Sequence, residues 1–297
     1  MTFGRFAPSP TGDLHLGNLR TALVAWLAAR STGRGFLIRM EDLDRDRVVP
    51  GAAERQLADL WALGLDWDGE VVHQSERLEL YDTAIAALTR AGLTYPCFCT
   101  RREISEASSA PQGALAAGYP GSCRDLTAAQ RVTRAEARPP ALRLLARTTG
   151  LRIHDALQGS YAGAVDDVVL RRNDGQVAYN LAVVVDDAAL EVDQVVRGED
   201  LLPATPTQAH LADLLGLPRA TYLHVPLALN LAGQRLAKRD AAVTLVDLAA
   251  DGQPPAAVLV RLAASLGLAQ VDEHVVLGDL LDRFTVPALP RAPWVVD

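Results

Sequence analysis

The chain has 297 residues, 49% hydrophobic and 22% charged, a globular composition that supplies apolar material for a large core and is too long for one small domain. A net charge of −7 excludes a general attraction to nucleic acid, so any polyanion has to meet a local arginine-rich face. There is no basic-then-apolar leader, the longest apolar run (21–29) is too short for a bilayer, and three cysteines do not make a disulfide framework; these features predict a cytoplasmic protein.

Residues 2–7, "TFGRFA", read as a short buried strand that ends in the Pro- and Gly-rich loop "PSPTGD". Leu19, Ala22, Leu23, Trp26 and Leu27 recur at three and four, which predicts a helix over 16–30 with one buried face. A second strand follows at 35–40, a helix at 51–63 and another at 76–92. This alternation predicts a parallel α/β sheet with crossover helices. From about 95 to 159 turn formers crowd the chain and periodicity weakens, so an inserted subdomain is expected there. The strand pattern returns with "AVDDVVLRR" and "QVAYNLAVVVDD". A helix is expected at 203–215, a strand at 222–229, and only a few short elements after 252. The expected organisation is a Rossmann-like domain at 1–94 and 160–250, an insertion at 95–159, and a short appendage at 251–297.

Three groups of residues carry chemistry. "PSPTGDLHLGN" at 8–18 places His15, Gly17 and Asn18 at a strand-to-helix junction, where unpaired backbone N–H groups favour an anion such as phosphate. It is neither a Walker A loop nor GxGxxG. Read alone, His15 is equally an ordinary capping residue. Lys238, in "GQRLAKRD", is the only lysine of the chain. A compact ammonium can follow phosphate oxygens through a reaction, where a guanidinium favours fixed planar pairing. In a chain that otherwise uses arginine, this exception points to chemistry rather than to a solvated surface residue. Cys97 and Cys99 have C-x-C spacing, poor for a disulfide and suited to two thiolates on one metal; with Cys123 they form a metal site or are three unrelated buried thiols. Arg101, Arg102, Arg124, Arg131, Arg134 and Arg138 crowd the insertion and either track phosphates or lie solvated on the surface.

"RFAPSPTGDLHLGNLRTAL" together with "RLAKRD" resembles the class I aminoacyl-tRNA synthetases of the glutamate branch, with "HLGN" in the place of HIGH and "RLAKR" in that of KMSKS. The likeness continues in order through "IRMEDLDRDR", "HQSERLELY", "YPCFCTRRE", "YNLAVVVDD" and "VVRGEDLLPATPTQ", over about residues 3–248. Ala237 stands where the family usually has serine, and Arg239 replaces the motif's last residue. Fewer than sixty residues follow Lys238, so the resemblance implies no anticodon-binding domain. It is closest to the truncated glutamyl-queuosine tRNA(Asp) synthetases. Several expectations follow from it. ATP, bringing Mg²⁺, meets His15, Gly17, Asn18 and Lys238, with His15 and Lys238 catalytic. L-glutamate meets Arg5, Ser9, Tyr179 and Arg197, and Glu41 takes its ammonium. Tyr119, four residues before Cys123, completes a structural zinc site with Cys97 and Cys99. The acceptor is queuosine in tRNA(Asp), and the enzyme works as a monomer. Two other readings remain open: a truncated synthetase charging a tRNA 3′ end, and a non-catalytic paralogue that binds an amino acid, nucleotide or RNA.

Overall fold

The computed structural model describes residues 1–100, 102–104, 118–236 and 243–296. The strands are β1 (Phe3–Phe6), β2 (Gly35–Met40), β3 (Val72–His73), β4 (Thr94–Cys97), β5 (Ala141–Leu144) and β6 (Gly150–Asp155), then β7 (Gly159–Ala164), β8 (Val169–Arg171), β9 (Val192–Gly198), β10 (Thr221–Val225), β11 (Ala228–Leu229) and β12 (Trp294–Val295). The helices are α1 (Leu16–Arg30), α2 (Ala52–Ala62), α3 (Leu78–Arg90), α4 (Ala128–Ala137) and α5 (Tyr179–Ala189), then α6 (Thr205–Leu215), α7 (Leu245–Ala250), α8 (Pro255–Ser265) and α9 (Leu277–Arg283). No helix among the described residues is long and apolar enough to cross a membrane.

The main sheet has the order β3-β2-β1-β9-β10-β6-β7. All neighbours are parallel except the β6–β7 hairpin. Chain order reverses between β1 and β9, the switch point of a doubly wound sheet, where strand ends diverge and leave a crevice. β1 carries a close approach: a Cβ on Gly4 would lie 2.8 Å from Cβ of Ala29, so only glycine lets α1 sit this near the sheet.

α1 is buried on nearly every side, not on one face: Leu16, Leu19, Leu23, Val24, Leu27 and Ala29 have no exposed surface. The cover on its far side comes from the C-terminal segment. Val258, Leu259, Leu262 and Ala263 of α8 share its core cluster, and the Arg20 guanidinium reaches Ser265 Oγ at 3.0 Å and Pro226 O at 2.7 Å. The expected appendage is therefore part of the main core. Each such leucine contributes roughly 1.5–3 kcal/mol of burial.

Two further elements differ from the sequence reading. "YNLAVVVDD" forms helix α5, not a strand. Leu181, Ala182 and Val185 pack into the second core cluster, and that packing overrides the β-branched run. Strand pairing also crosses the expected insertion boundary at 159. β6 joins β10 of the main sheet, while β8 pairs with β5 in a separate three-stranded antiparallel sheet, β4-β5-β8. The chain thus passes out, back, out and back again before α5, which a single pair of cut points does not describe.

Candidate active site and metal centre

A cleft of about 710 Å³ opens at the carboxyl ends of β1, β2 and β9. Arg5, Ser9, His15, Gly17, Asn18, Glu41, Tyr179 and Arg197 all line it. The loop 7–14 that forms one wall is held by its carbonyls. Gln56 of α2, almost fully buried, donates to Ser9 O at 3.1 Å and Gly12 O at 2.6 Å, and the Glu41 amide donates to Pro8 O at 2.9 Å.

His15 is the N-cap of α1. Its Nδ1 accepts from the amides of Gly17 at 3.1 Å and Asn18 at 3.3 Å, and Asn18 Oδ1 accepts from the His15 amide at 3.2 Å. An accepting Nδ1 assigns the proton of the neutral ring to Nε2. His15 is both the capping residue and a residue of the cleft, so the two readings of it are one. A Cβ on Gly17 would lie 3.0 Å from the His15 ring, which explains why a glycine stands there. Lys238 lies outside the described residues, as does Arg101. Both flanks of the lysine are held at the cleft: Leu236 lines it, Val243 O accepts from the Leu16 amide at 3.3 Å, and Thr244 bridges to His15.

Beneath the cleft runs a buried charge network. Arg5 Nε lies 3.3 Å from Asp187 Oδ1, Arg39 Nη1 lies 2.5 Å from the same oxygen, and Arg39 Nη2 lies 3.2 Å from Glu41 Oε1. Asp186 accepts from Gln74 at 2.8 Å, Arg77 at 2.6 Å and Tyr81 at 2.7 Å. Two of the three carboxylates near Arg39, Asp187 and Glu41, are held in opposite directions. Burial acts against both charges, but Arg39 and Arg5 hold Asp187 below the ordinary carboxylate range. Burial outweighs the same arginines at Glu41 and raises it. Arg197 is held differently: its Nε donates to His224 Nε2 at 3.1 Å and its Nη2 to Thr205 Oγ1 at 2.8 Å. Arg39, Asp187, Gln56 and His224 were not singled out from the sequence. Their types are ordinary core-polar residues there, and only the fold brings them under one cleft.

In the insertion, Cys97, Cys99 and Cys123 place their sulfurs within 4.8 Å of one another. Cys99 Sγ lies 3.5 Å from Cys123 Sγ. Tyr119 Oη lies 3.4 Å from Cys97 Sγ and 3.7 Å from Cys99 Sγ. Ligands about 2.3 Å from a tetrahedral ion are separated by about 3.8 Å, so the three sulfurs have the spacing and softness that a zinc-type site requires, and the harder Tyr119 oxygen lies at a compatible distance from two of them. The sulfurs are too far apart for disulfides. Burial and the adjacent thiols of Cys123 and Cys97 push Cys99 up to about 12, despite the opposing Tyr119 hydroxyl. A bound cation reverses that direction. Around the cluster, Arg143 stacks on the Tyr119 ring at 3.8 Å and Arg134 Nη1 lies 3.6 Å from Cys123 Sγ. Arg124 pairs with Asp167 at 2.7 Å, and Arg138 donates to Phe98 O at 3.0 Å. Arg131 Nη2 donates to Arg124 O at 3.5 Å, and Arg102 is exposed. Arg124, Arg134 and Arg138 therefore brace this cysteine knuckle while their side chains stay partly open to solvent.

A doubly wound sheet with this cleft at its switch point is the catalytic architecture of a class I synthetase. The model of the family "tRNA synthetases class I (E and Q), catalytic domain" matches residues 2–296, and the chain belongs to that family. It is 62% identical over 294 residues to the Glutamyl-Q tRNA(Asp) synthetase of Nocardia farcinica (strain IFM 10152), covering 99% of this chain and 92% of the relative. It is 53% identical to the protein of that name from Cutibacterium acnes (strain DSM 16379 / KPA171202), covering 93% and 80%. Among solved structures it resembles a glutamate tRNA ligase from Elizabethkingia meningosepticum CCUG26117, crystallised with its amino acid. The TM-score is 0.83 and the identity 27%, over 99% of this chain and 66% of that one. The chain thus spans about two thirds of that ligase's length.

Proposed function

We propose that the cleft activates L-glutamate with ATP, without needing tRNA, and that the glutamyl group then passes to queuosine in the anticodon of tRNA(Asp). The observation that carries this reading is the placement of charge: guanidinium groups of Arg5 and Arg197 and the Glu41 carboxylate line the same cleft as the capped start of α1. An amino acid with two carboxylates and one ammonium matches that set; the first-turn amides of α1 already have acceptors, so a triphosphate would meet the helix dipole and the His15 Nε2–H. Over nearly the whole chain the relatives are Glutamyl-Q tRNA(Asp) synthetases, in agreement with it.

In this reaction an oxygen of the α-carboxylate attacks the α-phosphorus, the bond to pyrophosphate breaks, and pyrophosphate leaves with its electron pair and the Mg²⁺ it carries. No protein acid or base is required; the work is positioning and charge neutralisation. Arg197, Arg5 and Tyr179 orient the amino acid, Ser9 adds a polar contact, and Glu41 takes its ammonium. His15, through Nε2–H, Gly17, Asn18 and Lys238 serve the triphosphate. A queuosine hydroxyl then attacks the acyl carbon, its proton passes to the departing phosphate or to water, AMP leaves with the electron pair of the acyl–oxygen bond, and an ester remains on the base. Cys97, Cys99, Tyr119 and Cys123 would hold one structural zinc that pins the knuckle. We read the protein as a cytoplasmic monomer.

The test is glutamate-dependent ATP–pyrophosphate exchange with and without tRNA, with glutamine and aspartate as controls, followed by transfer of labelled glutamate to tRNA(Asp) with and without queuosine. Exchange without tRNA and queuosine-dependent transfer are expected. Exchange only with tRNA, and transfer to a 3′ end, would establish a tRNA-charging enzyme instead. Folded protein without exchange would leave a binding paralogue.

A further inference from the structure

The two cleft arginines are built on different supports. Arg5 is in contact with a carboxylate, Asp187, which it shares with Arg39. Arg197, 6% exposed, has no carboxylate within salt-bridge distance among the described residues; its partners are His224 and Thr205. His224 is fully buried on β10 and its Nδ1 lies 2.6 Å from Asp155 Oδ2. Asp155, also fully buried, accepts in addition from the amides of His224 at 3.0 Å, Leu157 at 3.0 Å and Gln158 at 2.8 Å. Four donors fix this carboxylate in its charged form.

The hydrogen bonds then leave one assignment. Arg197 can only donate, so Nε2 of His224 is an acceptor and the ring proton is on Nδ1, facing Asp155. Thr205 Oγ1 accepts from Arg197 Nη2, and its own proton has two acceptors in reach, Leu201 O at 3.2 Å and His224 Nε2 at 3.1 Å. Burial, the largest influence, holds His224 below the ordinary imidazole range although Asp155 opposes it, and the guanidiniums of Arg197 and Arg5 act with burial. Arg197 is thus oriented by two neutral acceptors. Behind the imidazole stands an anion, Asp155.

Resting on the reading that the cleft binds glutamate, we propose that His224 is a specificity-determining positioning residue: by taking the Arg197 Nε–H on a neutral nitrogen, it fixes the guanidinium while leaving its charge for the substrate's carboxylate. Glutamate supplies the missing anion. Glutamine, of the same shape but with a neutral side chain, leaves a guanidinium that faces the side-chain carboxylate without its anion, and a site built around that charge rejects it. Arg5, already in contact with Asp187, contributes less to that choice.

The experiment is equilibrium binding of glutamate and of glutamine by calorimetry, with exchange kinetics and melting temperature measured alongside, on the wild type, His224→Gln, His224→Leu and Thr205→Val. Gln places Oε1 where the ring offers Nε2, so it keeps the acceptor; Leu removes it. His224→Leu is expected to weaken glutamate binding about tenfold or more and to narrow the glutamate-over-glutamine ratio by a similar factor, with KM for ATP unchanged. His224→Gln is expected to restore both to within about threefold of the wild type. Thr205→Val, which removes the second acceptor of Arg197 together with the hydroxyl beside His224 Nε2, moves them in the same direction as Leu and decides the matter if His224→Leu does not fold. Equal losses in Gln and Leu, or an unchanged ratio in a folded Leu and Val variant, would overturn the proposal. Wild-type protein that binds glutamate but shows no exchange would defeat the activation reading alone, since binding still decides this one. Wild-type protein that does not bind glutamate would defeat both.

Discussion

The cleft and the cysteine knuckle are both clusters of buried polar groups, and they are completed in opposite ways. In the cleft, Asp186 and Asp187 balance Arg5, Arg39 and Arg77 within the protein, so the site is assembled before any substrate arrives. In the knuckle, three thiols and a phenol face one another, and the nearby arginines brace the rim without replacing a cation at the centre. A site that carries its own counter-charges is rigid when empty. One that does not is stable only when loaded.

The largest expected effect follows from that difference. Structural zinc in small motifs is worth roughly 10–16 kcal/mol of apparent binding energy at neutral pH, so chelation is expected to unfold the knuckle and leave the main sheet folded. The measurement is metal content per chain together with amide hydrogen exchange before and after chelator, with Cys99→Ser as the matched variant. One equivalent of zinc is expected, and increased exchange over β4, β5 and α4 with β1, β2 and β9 still protected. Metal-free protein with a protected knuckle would break the comparison.

Second comes the cleft's own balance. Asp187→Asn leaves Arg5 and Arg39 sharing one fewer anion in a dry site, and breaking a buried pair in this way costs about 3–5 kcal/mol. The urea midpoint is expected to fall accordingly, with metal content unchanged. A midpoint that does not move would mean that Glu41 and Asp186 take up both guanidiniums.

How much of this was legible in advance depends on the range of the contact. Local signals read well: the loop after β1, helices α1, α2 and α3, and the cysteine spacing follow from turn residues and periodicity within a dozen positions. Three features did not read. Helix α5 was hidden by Val183, Val184 and Val185, whose branched side chains suit a strand equally well. The weight of α8 was hidden because its partner face, on α1, lies more than 200 residues away. His224 and Asp187 were hidden because a buried polar residue looks in sequence like any other; what distinguishes them is who stands opposite after folding. The cleft residues carried by short motifs, His15, Gly17 and Asn18, were visible. Those that support them across the sheet were not.

The third effect concerns Lys238, in the sequence between the two anchors at Leu236 and Val243. Lys238→Ala is expected to lower ATP–pyrophosphate exchange by about 10²–10³-fold, the scale of one lost donor to developing charge. It is expected to leave the urea midpoint unchanged, unlike Asp187→Asn. Loss of activity without loss of stability places the lysine with the chemistry; full turnover would return it to the surface.

The smallest effect is the most specific to the cleft's imbalance. Asp187 is held low by two arginines, while Glu41, which shares Arg39 with it, is held high by burial, so Glu41 is the carboxylate that gains most from one further cation. The ammonium of a bound amino acid supplies it. An acid raised in the free protein is charged only above its shifted value, so binding that needs its charge is present at higher pH and lost as pH falls through that value. The apparent kcat/KM for glutamate is therefore expected to decline on an acid limb displaced upward from an ordinary glutamic acid, while kcat at saturation declines at lower pH, because the bound ammonium keeps Glu41 ionised. Glu41→Gln is expected to raise KM for glutamate about tenfold or more at neutral pH and to abolish the acid limb. It should not destabilise the protein near neutrality, since it removes a charge that burial disfavours. An acid limb that survives in the Gln variant would assign it to another group, and a lower urea midpoint would show that Arg39 needs Glu41 as much as it needs Asp187.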